Sequence, residues 1–485
     1  MTKRRFRTPG VYVEEVSFGP PPIMRAETSI VAFIGYTERS IRDTDNLLLV
    51  PTKISSFVEF ELIYGKAFPS KFELVDALPG DTESILIAGQ AKSISFLPQQ
   101  QGFLHSAVCA FFENGGSSCY IVSVGNYAGQ ASLNIEKGEL LAGLTTLENE
   151  VEPSILAIPD AVILEVESFN IYQEMLSHCA KARRRFAILD VPFGHRARST
   201  APDCITEFRN KIGTQNLSFG AAYYPWLHSS LVQQNHASMR HCFEGVNLVD
   251  MLPETNAQTF LSSSPEPTGD YRHQGLLSFS PTYSKIIEGA VRKLNLLPPS
   301  GFIAGIYSAT DNSRGVWKAP ANIELNSVNQ LSVRIANEDQ EDLNTNHFSG
   351  KSINAIREFL GKGILVWGAR TLAGNDNEWR YVNVKRTFIM VEQSIRNGLE
   401  PFAFEENNSV AWSRIKSSCL NFLSNIWREG ALAGTSQKDA FFVKVGLGET
   451  MTAQDVLEKR MIIEIGMALL RPAEFIILRV EQKMA

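Results

Sequence analysis

The sequence predicts a mixed α/β (α+β) protein with more than one domain. Apolar strand-like runs alternate with helix-like stretches between residues 29 and 224. The last third carries two long amphipathic stripes at helical spacing, followed by runs that alternate residue by residue. The chain has 485 residues, too many for one ordinary core, with 44% hydrophobic and 20% charged residues, the balance of a folded protein.

The elements follow in order. Behind a short basic start, MTKRRFR, residues 8–15 read TPGVYVEE. Pro9-Gly10 is turn chemistry and Val11-Tyr12-Val13 is strand chemistry. A terminal strand needs a sheet to join. Residues 29–36 (SIVAFIGY) form an apolar strand, and mixed turn signals follow up to Gln99-Gln100-Gln101-Gly102. A buried helix spans 105–113, stopped by Asn114-Gly115-Gly116, and a strand spans 119–124. Strands at 154–158, 186–191 and 219–224 flank a helix at 170–183. Residues 251–275 are rich in Pro, Ser, Gly and Thr, which predicts a long exposed loop. Residues 284–294 form a helix.

In the last third, Ile353, Ile356 and Leu360 share a face of a helix predicted at 352–360, stopped by Gly361 and Gly363 before a short strand at 364–367. A helix at 384–399 lines up Val384, Phe388, Val391, Ile395 and Leu399. Another at 409–429 lines up Trp412, Ile415, Cys419, Phe422 and Ile426, and Gly430 ends it. These stripes are core faces. After a strand at 441–445, Thr452 and Asp455 have capping-box spacing and start a short helix. Residues 461–469 alternate, with Ile463, Ile465, Met467 and Leu469 on one side. Residues 475–482 alternate again, with Ile476, Leu478 and Val480 on one face.

The net charge of −6 argues against general nucleic-acid binding. No run approaches the roughly 18 apolar residues of a membrane span. No apolar core follows Lys3, Arg4, Arg5 and Arg7, so the start is expected to be a solvated arm and not a secretory signal. Six scattered cysteines without a CxxC pair predict reduced, packed thiols and a cytoplasmic protein. The sequence has no HExxH, GxSxG or P-loop, and Lys362 sits in a turn between two glycines. Asp190 and His195 flank a strand end, where catalytic carboxylates occur in α/β folds. With no motif around them, Asp190 is expected to be structural, and an α/β enzyme remains the alternative. No catalytic residue, cofactor or metal site is expected.

Five stretches belong together: TPGVYVEE at the start, AAYYPWL at 221–227, LPPSGFIAGIYSATDNSRGVWKAPAN at 297–322, GILVWGARTL at 363–372 and RPAEFIILRVEQ at 471–482. They resemble, in order and over almost the whole chain, the sheath proteins of contractile phage tails and of phage-tail-like extracellular contractile injection systems. One departure stands at 404–408, where Phe404-Glu405-Glu406-Asn407-Asn408 replaces the family's Phe-Glu-Pro-Asn turn.

The resemblance implies a non-enzymatic subunit of six-membered rings stacked helically around an inner tube. It contracts downhill from a metastable extended state. The expected organisation is an N-terminal strand-donating arm at 1–25, an outer inserted α/β domain at 26–345 with its exposed loop at 251–275, an inner tube-facing α/β domain at 346–470 and a C-terminal strand at 471–485. Val11, Tyr12, Val13, Ile476, Leu478 and Val480 are then the inter-subunit strand-exchange residues. Backbone bonds of about 0.5–1.5 kcal/mol each roughly cancel an ordering cost of about 1–2 kcal/mol per residue, so burial of those side chains must supply the surplus. The short polar helix carrying Gln454, Asp455, Glu458 and Lys459 is the candidate inner-tube contact. Expected partners are other copies of the chain, the tube protein, baseplate and terminator proteins, and sheath paralogues, with neither nucleic acid nor membrane insertion. Assembly is expected in the cytoplasm, into a phage tail or tail-like particle. A minor sheath paralogue, or another tail component at the baseplate end, is the nearer alternative.

Overall fold

The computed structural model describes residues 22–474, apart from 79–83, 88, 235–238, 241, 244–245 and 265–266. These pack as two units, residues 26–390 with 470–474, and residues 22–25 with 391–469. Val11, Tyr12, Val13, Ile476, Leu478 and Val480 lie outside the described residues.

The main sheet of the larger unit contains β1 (Val31–Thr37), β2 (Thr52–Ile54), β3 (Cys119–Asn126), β4 (Ile155–Ala157), β5 (Phe186–Asp190), β6 (Gly220–Tyr224), β7 (Ile323–Glu324), β8 (Asn354–Phe359) and β9 (Gly363–Val366). Their order is β7-β9-β8-β6-β5-β4-β1-β3-β2. The neighbours from β8 to β3 run parallel, and the strands toward each edge turn antiparallel. Parallel strands are covered on both faces, so they read as unbroken apolar runs. VAFIGYT, FAILD and GAAYY are accordingly buried at every position.

Three helices matter most here: α1 (Leu104–Glu113), α2 (Ser168–Ala182) and α3 (Ser300–Arg314). Helix α3 holds the SGFIAG part of the 297–322 block. A Cβ on Gly301 would lie 2.5 Å from the Ala107 carbonyl oxygen, and one on Gly305 would lie 2.6 Å from that of Phe111. The two glycines, one turn apart, let the backbones of α3 and α1 touch.

Three stretches depart from expectation. Residues 352–360 are not a helix: β8 occupies them, paired with β6 and β9. Ile353 and Ile356 are buried as the spacing required, but Leu360 is fully exposed at the hairpin tip. Membership of the sheet also places residues 346–390 in the larger unit. Residues 251–275 are not one exposed loop, since they contain a helix at Thr255–Leu261 and most of another at Gly269–Phe279. The apolar residues among the turn formers decide this: Leu252, Ala257 and Leu261 are buried. They join a satellite core with Phe72, Ile94, Leu276 and Ile286. The unassigned stretch before Gln99 supplies the other half of this module, an antiparallel sheet of Phe72–Asp76, Gln90–Phe96 and Ile85–Ile87.

Helix α4 (Val382–Leu399) belongs to the larger unit up to Met390 and to the smaller from Val391. Its first turns are buried at every position from 382 to 387, more than one stripe predicts. The polar groups there have partners. Arg386 makes a bidentate pair with Asp311 at 3.0 and 2.6 Å, both side chains almost wholly buried. Lys385 Nζ sits 3.8 Å from the ring centre of Phe219 and 4.3 Å from that of Trp379. In the smaller unit α5 (Ser409–Arg428) buries Ile415, Cys419, Phe422 and Ile426 along the expected stripe. β10 (Phe441–Lys444) and β11 (Glu464–Met467) form an antiparallel ribbon, and α6 (Ala453–Leu457) lies between them in sequence.

Candidate assembly site

Open parallel sheets bind ligands outside the carboxyl ends of their strands, where the strand order reverses. Here the chain leaves β1 for β3 on one side and β4 on the other, so the reversal is at β1. Asp160, just past β4, fills that place. It accepts from the backbone N–H groups of Phe103 (2.6 Å) and Leu104 (3.1 Å) at the start of α1, and from that of Tyr36 (3.2 Å). Helix α1 has no side-chain cap of its own, so Asp160 supplies the acceptor its first turn needs.

Asp190, ending β5, does the same for α3 by accepting from Ser300 N at 2.8 Å. Burial pushes the carboxyls up, Asp160 to about 6 and Asp190 to about 7, against backbone donors that favour the anion. His195 packs on Trp226, whose Nε1 donates to Val191 O at 2.9 Å. The carboxylate of the enzyme alternative is therefore committed to a helix start. Burial likewise pushes the thiols up, Cys109 to about 12 and Cys419 to about 11, and all six cysteines are unpaired.

The smaller unit is open where the sheet is closed. Among the described residues, the β10–β11 ribbon has no third strand on either edge. Phe441 and Val443 are buried on one face, opposite Met467 and Ile465. On the other face Phe442 lies across Gly466, where a Cβ would meet the ring at 2.2 Å, and remains 44% exposed. The missing side chain gives the aromatic ring its seat and fixes the register of the pair.

Thr452 and Asp455 form the expected capping box: Thr452 Oγ1 accepts from Asp455 N at 3.2 Å, and Asp455 accepts from Thr452 N at 2.9 Å. The Thr452 hydroxyl, which donates to Asp455 Oδ2 at 2.7 Å, and then the Thr452 N–H hold the Asp455 carboxyl below its usual value. Of the four polar candidates, Asp455 is committed to the cap and to Arg460 (2.8 Å), Glu458 pairs with Arg460 (2.7 Å), and Gln454 donates to Glu458 (2.7 Å). Gln454 and Lys459 are exposed. Sequence reasoning missed the apolar neighbours: Leu457, Leu447 and Ile462 are 76%, 57% and 41% exposed. An apolar residue in a polar helix was the available signal.

The proline-less loop is stiffened by side chains. Asn408 caps α5 by accepting from Val410 N and Ala411 N, Trp412 Nε1 donates to Asn407 Oδ1 at 2.6 Å, and Asn407 Nδ2 donates to Arg460 O at 3.0 Å.

The distant sequence blocks of the larger unit converge on one edge of its sheet. AAYYPWL supplies β6, GILVWGARTL supplies β9, and the end of GVWKAPAN bonds to β9 through Asn322 N and Val366 O at 2.7 Å. Arg370 pairs with Glu474 of RPAEF.

The profile of the phage tail sheath C-terminal domain matches residues 374–483. The tail sheath protein of Vibrio phage KVP40 is 27% identical over 172 residues, 33% of this chain and 25% of that protein, so the chain aligns with about a quarter of that curated relative's length. A chain of the anti-feeding prophage baseplate, seen by cryo-EM, is 28% identical with a TM-score of 0.60, covering 99% of this chain and 100% of that one. A chain of the PVC sheath complex in the contracted state, from an extracellular contractile injection system, is 25% identical with a TM-score of 0.63, covering 99% and 98%. Fold, motif order and relatives define a structural component of a contractile tail or tail-like particle. Within that class, the chain is similar to contractile tail sheath proteins, in residues 374–483 to the sheath C-terminal domain and over nearly its whole length to chains of contractile injection particles.

Proposed function

We propose that this chain is the repeating subunit of a contractile sheath, stacked as six-membered rings around an inner tube and driving it through a target envelope on contraction. The observation that carries the proposal is the full-length likeness to a chain of a contracted sheath complex. The ribbon supports it: a two-stranded sheet alone is marginal in water, and edges that carry no third strand among the described residues suit strands donated by neighbouring copies. Residues 11–13 and 476–480 are the donors in this proposal, with Val11, Val13, Ile476, Leu478 and Val480 setting register through alternate burial. The exposed side of α6, with Gln454 and Leu457, together with Lys459 just past its end, is the tube-facing surface. Baseplate and terminator proteins hold the extended state, and the energy of contraction lies in exchange between two sets of subunit contacts.

The protein expressed alone and pelleted is expected to form hollow helical cylinders in negative-stain electron microscopy. Uniform small particles that stay small when the cognate tube protein is added would overturn the proposal. A sheath copy confined to the baseplate end is the second reading, favoured by the 28% identity to the baseplate chain. It predicts cylinders only when another sheath protein of the same particle is present.

A further inference from the structure

Arg370 follows β9 and is nearly buried, its side chain 4% exposed against 20% for Glu474. Its Nε donates to Glu474 Oε1 at 2.9 Å and one terminal nitrogen donates to Oε2, a bidentate pair. The other terminal nitrogen donates to Asn344 O at 2.9 Å and Thr345 Oγ1 at 3.2 Å. Tyr381 OH adds a donor to Glu474 Oε2 at 3.2 Å. The Arg370 backbone is clamped in turn. Its N–H donates to Asn354 Oδ1 at 2.7 Å, and Asn354 Nδ2 donates to its carbonyl at 2.8 Å. Asn354 is buried at the start of β8, in the main sheet. Four residues before Glu474, the Leu470 carbonyl accepts from Asn383 Nδ2 at 3.0 Å. The path from Glu474 into the sheet is thus a short series of hydrogen bonds between buried or half-buried groups.

The alternating run 475–482 begins at the next residue. A donated strand passes its tension to the first fixed point on its own subunit. Resting on the strand-donation proposal above, we propose that the Arg370–Glu474 pair is the tension-carrying anchor of the C-terminal strand. It transmits force between neighbouring subunits into the main sheet while the lattice is strained. Because the Arg370 end of the pair is screened from water, its loss is felt mainly as a faster rate of pulling out under load.

The test uses cylinders of the full chain with Glu474→Gln, which keeps the shape and removes the charge. Cylinders are passed through a fine needle at rising shear and their lengths are measured by electron microscopy. The expected result is assembly at the parent's yield but on the order of tenfold more breaks per cylinder at equal shear, as a weakened half-buried pair yields faster under force. Unchanged lengths overturn the anchor. If Glu474→Gln fails to fold, Tyr381→Phe decides: it leaves the ion pair and removes one hydrogen bond, so breaks rise by a smaller factor if the anchor is real and stay at the parent's level if it is not. Deleting residues 475–485 separates this from the parent proposal. Normal cylinders from the deletion sink strand donation itself, whereas lost assembly with shear-resistant Glu474→Gln cylinders sinks only the anchor.

Discussion

The main sheet and the β10–β11 ribbon solve opposite problems. At the strand ends of the sheet, Asp160 and Asp190 occupy the places where an α/β fold could receive a ligand, and each satisfies a helix start. The ribbon leaves its edges without a third strand among the described residues. The difference teaches that polar groups within one chain can be closed off where the body must be rigid and left open where a second copy is to complete them. An edge strand is ordinarily a liability, and in the proposed lattice it is the joint.

Experiments can break this contrast at either side. The largest effect is expected from Ile476→Asp with Leu478→Asp: cylinder formation is abolished while the monomer's melting temperature holds. A matching collapse of monomer stability would mean the strand serves its own subunit's fold. Next comes Arg386→Ala in the closed body. It strands Asp311 without its buried partner and should cost about 3–5 kcal/mol in urea unfolding, losing assembly only because the subunit unfolds.

Asp160→Ala leaves the N–H groups of Phe103, Leu104 and Tyr36 without their acceptor and should cost about 1–3 kcal/mol. The same carboxylates give a pH signature. Their folded values of about 6 and 7 lie above the ordinary 3.8, so protonation favours the fold. That contribution is complete below about pH 4 and is lost as pH rises through 6 and 7. Urea midpoints of the parent should fall between pH 5 and 8 relative to the Asp160→Asn, Asp190→Asn double variant, and an equal slope in both would refute the assignment. The smallest effect belongs to the open unit. Thr452→Ala removes one cap and should cost about 0.5–2 kcal/mol, read as faster amide exchange confined to α6.

The parallel strands were legible because burial on both faces leaves apolar runs such as FAILD, and α5 because its stripe faces a single core. Residues 352–360 misled because Ile353, Ile356 and Leu360 match helical spacing by coincidence. Only pairing with β6 and β9 separates strand from helix there, and that pairing is tertiary. Residues 251–275 misled because Pro, Ser and Gly outnumber the few apolar residues that anchor the satellite core. At the candidate site, Thr452 and Asp455 could be read locally, since both partners lie within one turn. Arg370 and Glu474 stand 104 residues apart, so nothing in either neighbourhood announces the other. The proposed strand-exchange residues of both ends lie outside the described residues, and the alternation of 475–482 remains their signature.

The satellite module has a further consequence. Its core draws on two separate excursions of the chain, around 72–96 and 239–294, and is distinct from the core of the main sheet. Such a module keeps its own accounts with selection: substitutions there are judged by its own small core, while the sequence blocks gathered at β6, β9 and Glu474 answer to a different one. Variation in what the larger unit displays and constancy in the blocks that mark the family can therefore coexist within one polypeptide. For an engineer, the satellite is the natural place to graft a new epitope.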